Sequence, residues 1–171
     1  MRESPDSMEL EQFIAVRAEH LMRTATLLAG SREAGEDLLQ TALERLVPRW
    51  RSLNGDPEGY VRRTMANLAV DGYRRRATWQ RKLPLLRAGS ARPDDPMAAV
   101  DLRDALVRAV LQLPPRQRAV LVLRYWEQMS EAEAAAELGW PEGTVKSATA
   151  RGLRRLREIT AAWEDLMERA Q

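Results

Sequence analysis

The chain has 171 residues, room for one domain or two small ones, and its 44% hydrophobic and 30% charged residues make a composition that folds. It has no cysteine, which removes disulfides, thiolate catalysis and cysteine-ligated zinc together and fits a reducing, cytoplasmic setting. No apolar run approaches the roughly 20 residues of a membrane span, the acidic N-terminus is no signal peptide, and a net charge of only +2 hides strong local segregation.

Few β-branched runs, no Asn-Gly hairpin turn and little two-residue alternation leave an all-α reading. Asp6 and Glu9 have the spacing of a capping box, which predicts a helix opening near Ser7. Leu10, Phe13, Ile14, Arg17, Leu21, Ala25 and Leu28 continue it at helical spacing to Gly30. His20, the single histidine, reads as a structural residue on a helix face.

Ser31 caps a second helix expected to run to Val47, before Pro48. Ala34, Leu38, Leu39, Ala42, Leu43 and Leu46 form its apolar stripe. Asp37, Gln40, Thr41 and Glu44 form a contiguous opposite face. That face fits a solvated surface or a docking surface for a protein partner, and the residues alone do not choose. Trp50 to Glu58 reads as a short polar loop, with Asp56-Pro57 as N-cap and first position of a third helix. There Val61, Met65, Leu68 and Gly72 share one face. Glu58–Lys82 holds seven basic against two acidic residues, a block that suits a polyanion. Tyr60, Tyr73 and Trp79 among those arginines suit stacked, unpaired bases; they equally suit completion of the core.

Pro84, Gly89, Ser90, Pro93, Asp94 and Asp95 break the pattern and read as a flexible linker. The expected architecture is two small helical domains, residues 1–82 and 96–171, joined by residues 83–95. Asp95-Pro96 opens a fourth helix with Val100, Leu102, Ala105, Leu106, Ala109, Val110 and Leu113 apolar. Pro114-Pro115 ends it and starts another, in which Val120, Leu121, Leu123 and Tyr125 are expected to be largely buried. Ser130 and Glu133 have capping-box spacing at the start of a short helix, Glu131–Leu138, with Ala134, Ala135 and Leu138 inward. Gly139 supplies a left-handed cap, and Trp140-Pro141 turns the chain into a final helix. Trp140 itself reads as packing at the turn and not as a stacking platform.

That last helix starts with Thr144, Lys146 and Ser147 and continues with Arg151, Arg154, Arg155 and Arg157. Charge alone would describe a solvated basic face. The capping box, the Gly139 turn and the polar start together describe a helix-turn-helix. Thr144, Lys146 and Ser147 suit base edges, and Arg151, Arg154 and Arg155 suit phosphates.

Three stretches, GEDLLQTALERL, PEGYVRRTMANLAVDGYRRR and ALVRAVLQLPPRQRAVLVLRYWEQMSEAEAAAELGWPEGTVKSA, come in the order found in bacterial RNA polymerase sigma factors. In them the chain resembles the extracytoplasmic-function (ECF) group. The resemblance implies a protein that binds core RNA polymerase and directs promoter-specific initiation at −10 and −35 elements. It implies docking of Asp37, Gln40, Thr41 and Glu44 on the β′ clamp helices. A flipped −10 base would be captured in Arg51–Asp56, with Asn54 the candidate contact. Arg63, Asn67, Asp71, Arg74, Arg75 and Arg76 would follow the −10 strand and upstream duplex. The helix-turn-helix would read the −35 element and also touch the β flap, and the linker, with Asp94-Asp95, would thread toward the RNA exit path. No sensory segment is expected after Arg169, which leaves regulation to a separate anti-sigma factor or to transcription of the gene.

Departures from the group's pattern are Ala148, where arginine is frequent, Ala150, the helix-weakening Gly152, and the small or acidic residues Ala134 and Glu131. Alternatives are a stand-alone helix-turn-helix regulator, which leaves the second and third helices unexplained, and an adaptor whose basic faces only aid solubility. A nucleic-acid enzyme is disfavoured by one histidine and no carboxylate cluster at ligand spacing. No cofactor, metal or catalytic residue is expected.

Overall fold

The computed structural model describes the backbone of residues 5–53, 55–82 and 102–169, and the side chains of 8–53, 55–72 and 105–162. Among the described residues every regular element is a helix. The chain forms two compact units, Met1–Ala69 and Val70–Gln171, so the division falls within one long helix. The expected linker, residues 83–95, and the expected helix start at Pro96 lie outside the described residues.

In the first unit, α1 (Pro5–Ala29) packs against α2 (Arg32–Leu46). The helix α1 starts with Pro5, whose fixed φ suits a first position, two residues ahead of Ser7, near which the capping-box spacing predicts the start. Leu21, Ala25 and Leu28 are buried as expected, and Thr24 joins them. At Gly30 the chain turns through φ 97°, its N–H bonded to the Thr26 carbonyl at 2.9 Å. Ser31 then caps α2, its hydroxyl oxygen accepting the Ala34 N–H at 3.2 Å.

Gly35 governs how closely the two helices approach. A β-carbon there would stand 2.8 Å from both the backbone nitrogen and the α-carbon of Thr26. Of the α2 stripe only Ala42 and Leu46 are fully buried; Ala34, Leu38, Leu39 and Leu43 are half-buried.

After Leu46 the chain tightens into a 3-10 helix, Val47–Ser52, where a longer α2 and then a polar loop are expected. Pro48 has no N–H to continue the α ladder, and it sits in the first turn of the tighter helix. Trp50 in that turn packs on Phe13 of α1, ring centres 5.4 Å apart. Asp56 then caps α3 (Pro57–Lys82), its carboxylate accepting the Gly59 N–H at 2.8 Å. Val61, Met65 and Ala66 are buried, while Leu68 and Gly72 are half-buried. Arg17 pairs with Glu58 at 3.2 Å, and the Tyr60 hydroxyl donates to the Arg45 carbonyl at 3.3 Å. Those two contacts tie α3 to α1 and α2.

In the second unit, α7 (Glu142–Arg169) packs against α4 (Leu102–Leu111), α5 (Pro115–Leu121) and α6 (Glu131–Leu138). Ala109, Leu113, Ala119, Val120, Leu121, Val122 and Leu123 supply its core. Leu106, expected on the apolar face of α4, is 49% exposed. Tyr125 is 55% exposed, against the expectation of burial. The cause is a wide π turn over Val122–Trp126, in which the Glu127 N–H reaches back to the Val122 carbonyl at 3.0 Å. The extra residue in that turn slips the helical register and swings Tyr125 outward. Gln128, at φ 56°, then redirects the chain toward α6.

Arg118 is 7% exposed. Its guanidinium donates to the Leu111 carbonyl at 2.9 Å, satisfying an orphan group at the C-terminus of α4. Burial pushes its pKa down from the ordinary arginine range. Gly152 also has a packing reason. It is buried, and a β-carbon there would lie 3.1 Å from two side-chain carbons of Leu121.

Candidate nucleic-acid interface

The helix-turn-helix is built from local chemistry. The Ser130 N–H donates to a Glu133 carboxylate oxygen at 2.7 Å, and the Glu133 N–H donates to the Ser130 hydroxyl at 3.2 Å. Hydrogen bonds from the Ser130 side chain and from its backbone N–H hold the Glu133 carboxyl below the usual carboxylate range. At the other end of α6, Gly139 adopts φ 65°, and the Trp140 N–H bonds the Ala135 carbonyl at 3.0 Å. The Pro141 carbonyl then accepts the N–H groups of Thr144 and Val145 and starts α7.

Burial divides α7 into two faces. Val145, Ala148, Thr149 and Gly152 are buried. Lys146, Ser147, Arg151, Arg154, Arg155 and Arg157 are exposed, and Thr144 is half-buried. The contact residues expected from the sequence therefore lie on the outward side. Ala148, where the resemblance leads one to expect arginine, is buried. Ala150 is exposed.

Ser147 and Arg151 are coupled. The Ser147 hydroxyl donates to the Thr144 carbonyl at 3.0 Å, and Arg151 donates to the Ser147 carbonyl at 3.2 Å and hydroxyl at 3.3 Å. Arg154 and Arg155 follow Arg151 by three and four residues and are exposed like it, so the three lie on one stretch of the helix surface. Trp140 is half-buried, and the Arg116 guanidinium lies 4.6 Å from its ring centre. The ring is thus a stacking surface for an arginine as well as packing at the turn.

On α2, Asp37, Gln40 and Glu44 are exposed and Thr41 is half-buried. The Gln40 amide donates to Glu44 at 3.0 Å, and the Thr41 hydroxyl donates to the Asp37 carbonyl at 2.8 Å. On α3, Arg63 and Asp71 are exposed and Asn67 is half-buried, following one another at four-residue spacing. The backbones of Arg74, Arg75 and Arg76 continue the same helix, but their side chains lie outside the described residues, as do those of Tyr73 and Trp79. Asn54 lies outside them too. A cleft of about 390 Å³ is lined by Glu9, Trp50, Arg51, Leu53, Gly55 and Pro57 on both sides of that position.

Among the described residues no group of three His, Asp or Glu side chains could hold a metal ion. Nor is any helix long and apolar enough to cross a membrane. The Gly35 contact and the buried Arg118 have no counterpart in the sequence reading, and the Arg116–Trp140 stack runs against the reading of Trp140 as no stacking platform. A glycine one turn into an otherwise strong helix is a signal of close approach, and so could point to Gly35. Arg118 and Arg116 carry no comparable local signature.

The Sigma-70 region 2 family profile matches residues 15–79, and the Sigma-70 region 4 profile matches residues 103–156. The RNA polymerase sigma-E factor of Streptomyces coelicolor is 38% identical over 165 residues, covering 95% of this chain and 92% of that protein. The ECF RNA polymerase sigma factor SigE of Mycolicibacterium smegmatis is 31% identical, covering 88% of this chain and 61% of that one. Among solved structures, the sigma factor RpoE of Bartonella quintana, crystallised with the anti-sigma factor NepR, shares the fold. Its TM-score is 0.69 at 22% identity, over 90% of this chain and 97% of that one.

Proposed function

The chain belongs to the RNA polymerase sigma factors of the ECF group, and from that membership we propose how its parts share the work. A sigma factor binds core RNA polymerase and directs initiation at promoters by recognising −10 and −35 elements, and this chain does so. In the proposed division, residues 1–82 dock on the polymerase and open the −10 element, residues 83–95 link, and residues 96–171 read the −35 element. The protein acts in the cytoplasm as a recognition subunit with no catalytic residues of its own.

Asp37, Gln40, Thr41 and Glu44 meet the β′ clamp helices. The exposed row on α2 supports this, since its polar groups need no change of fold to reach a partner. Asn54, together with the cleft lined by Trp50, Arg51, Leu53 and Gly55, receives an extruded −10 base, while Arg63, Asn67, Asp71, Arg74, Arg75 and Arg76 follow the strand and upstream duplex. In the −35 major groove, Thr144, Lys146 and Ser147 meet base edges, and Arg151, Arg154 and Arg155 meet phosphates. The same domain touches the β flap. An anti-sigma factor that covers these surfaces is the proposed means of control.

The observation that carries the reading is the presence of both promoter-recognition regions, in order, in one chain with a relative aligned over nearly all of it. A stand-alone regulator would use the helix-turn-helix and leave the region 2 half idle. The test is assembly with core polymerase. The double variant Asp37→Ala, Gln40→Ala is expected to keep its circular dichroism spectrum and melting curve while losing core binding at least tenfold. Normal assembly by the folded double variant would remove α2 from the interface.

A further inference from the structure

The cleft of about 390 Å³ beside the 3-10 helix is lined from two directions. Trp50, Arg51, Leu53, Gly55 and Pro57 come from the stretch that leads from α2 into α3, and Glu9 comes from the second turn of α1. All six belong to the first unit. Glu9 is exposed, and among the described residues its carboxylate takes no hydrogen bond and no ion pair. The helix that carries it is nevertheless fastened to the rest of the cleft. Phe13, one turn beyond Glu9, packs on Trp50 with ring centres 5.4 Å apart. Arg17, a further turn along, pairs with Glu58 of α3 at 3.2 Å. A carboxylate presents acceptors only, so this wall of the cleft welcomes N–H groups and repels carbonyl oxygens.

We propose that Glu9 sets the base preference of this cleft: it favours an extruded −10 base that carries an exocyclic amino group and disfavours thymine. The inference rests on the reading of the cleft as the site that takes an extruded −10 base. Such a base has lost its pairing partner and offers its Watson–Crick edge to the protein. Cytosine, adenine and guanine each bear an amino group that can donate to the Glu9 carboxylate. Thymine has only one N–H on that edge, and it stands between two carbonyl oxygens that the carboxylate repels. The same negative charge repels a phosphate, so the base of the strand enters and its backbone stays outside. Trp50 and Leu53 supply the apolar wall against which the base rests.

The test uses holoenzyme assembled from core polymerase and the full chain, on a promoter at which the wild-type chain directs initiation. Failure to find such a promoter would count against the sigma-factor reading itself, before Glu9 is reached. The −10 box is held open by mismatches, so that duplex stability does not enter, and each non-template base in it is varied in turn. At one position the wild type is expected to bind an amino-bearing base roughly tenfold more tightly than thymine. Removing only the amino group (pyrimidin-2-one for cytosine, purine for adenine, hypoxanthine for guanine) is expected to cost the wild type a similar factor. Glu9→Gln, whose amide donates as well as accepts, is expected to bind all of these bases within about twofold of one another. Its circular dichroism spectrum and its dependence on the −35 box are expected to stay unchanged. If Glu9→Gln folds poorly, Glu9→Ala removes the acceptor altogether, and the same loss of preference is expected. A wild type with no base preference at any opened position would overturn the base-capture reading of the cleft, and the proposal with it. A preference that survives both substitutions, or a loss that falls equally on all four bases, would overturn the role of Glu9 alone.

Discussion

Gly35 is the residue at which a single methyl group has the clearest consequence. In an isolated helix, alanine would be favoured over glycine by about 1 kcal/mol. Here the added β-carbon would meet the Thr26 backbone at 2.8 Å, and backbone cannot rotate away as a side-chain tip can. Forcing the helices apart costs about 1–3 kcal/mol, so the clash outweighs the propensity. Gly35→Ala is therefore expected to lower the thermal midpoint of the first unit, read by circular dichroism. An equal or higher midpoint would show that α1 and α2 separate freely. On α7 the exposed side chains divide by what they can meet. Lys146→Ala is expected to reduce discrimination between −35 sequences. Arg154→Ala is expected to weaken all sequences alike and lower the salt slope by about 0.9. Binding titrations across a set of −35 variants at several salt concentrations separate the two. Equal effects from both changes on every sequence would undo the assignment.

Whether an element is legible in the sequence depends on how far apart the residues that decide it lie. The α6 capping box, the Gly139 turn and the Asp56-Pro57 start of α3 are readable because each is decided by residues within four positions of one another. At Val47–Ser52 the local Pro48 marks where the α ladder stops, but the packing of Trp50 on Phe13, far away in the chain, has no local signal. The π turn at Val122–Trp126 likewise leaves the apolar pattern intact while changing which residues it buries. Tyr125 is exposed for that reason. The faces proposed for partners are legible as polar rows. What they meet comes only from resemblance, since a solvated face and a docking face share one composition.

The capping box also carries a pH dependence. Hydrogen bonds from Ser130 lower the Glu133 pKa in the folded chain, so the carboxylate contributes stability above its unfolded pKa. That contribution is lost as pH falls through the folded value. The wild-type melting midpoint is thus expected to fall in acid more than that of Glu133→Gln, which has no charge to lose. Parallel midpoints for the two proteins from neutral to acidic pH would contradict it.

Over the whole molecule, function requires both units to act on one promoter through one polymerase. Neither surface suffices: the basic α7 face resembles those of many DNA-binding proteins, and the α2 row is an ordinary polar face without a partner. Their presence in one chain, each within a matched sigma region, is what gives the molecule its role. A sigma factor reads both boxes on one promoter, so the promoter should show two conserved boxes at a constant separation. The most direct measurement is run-off transcription with purified core polymerase over a genomic promoter library, with and without this protein. Protein-dependent start sites that share a −10 and a −35 box at fixed spacing are the predicted result. No new start sites, together with tight binding to duplex DNA in the absence of polymerase, would contradict it.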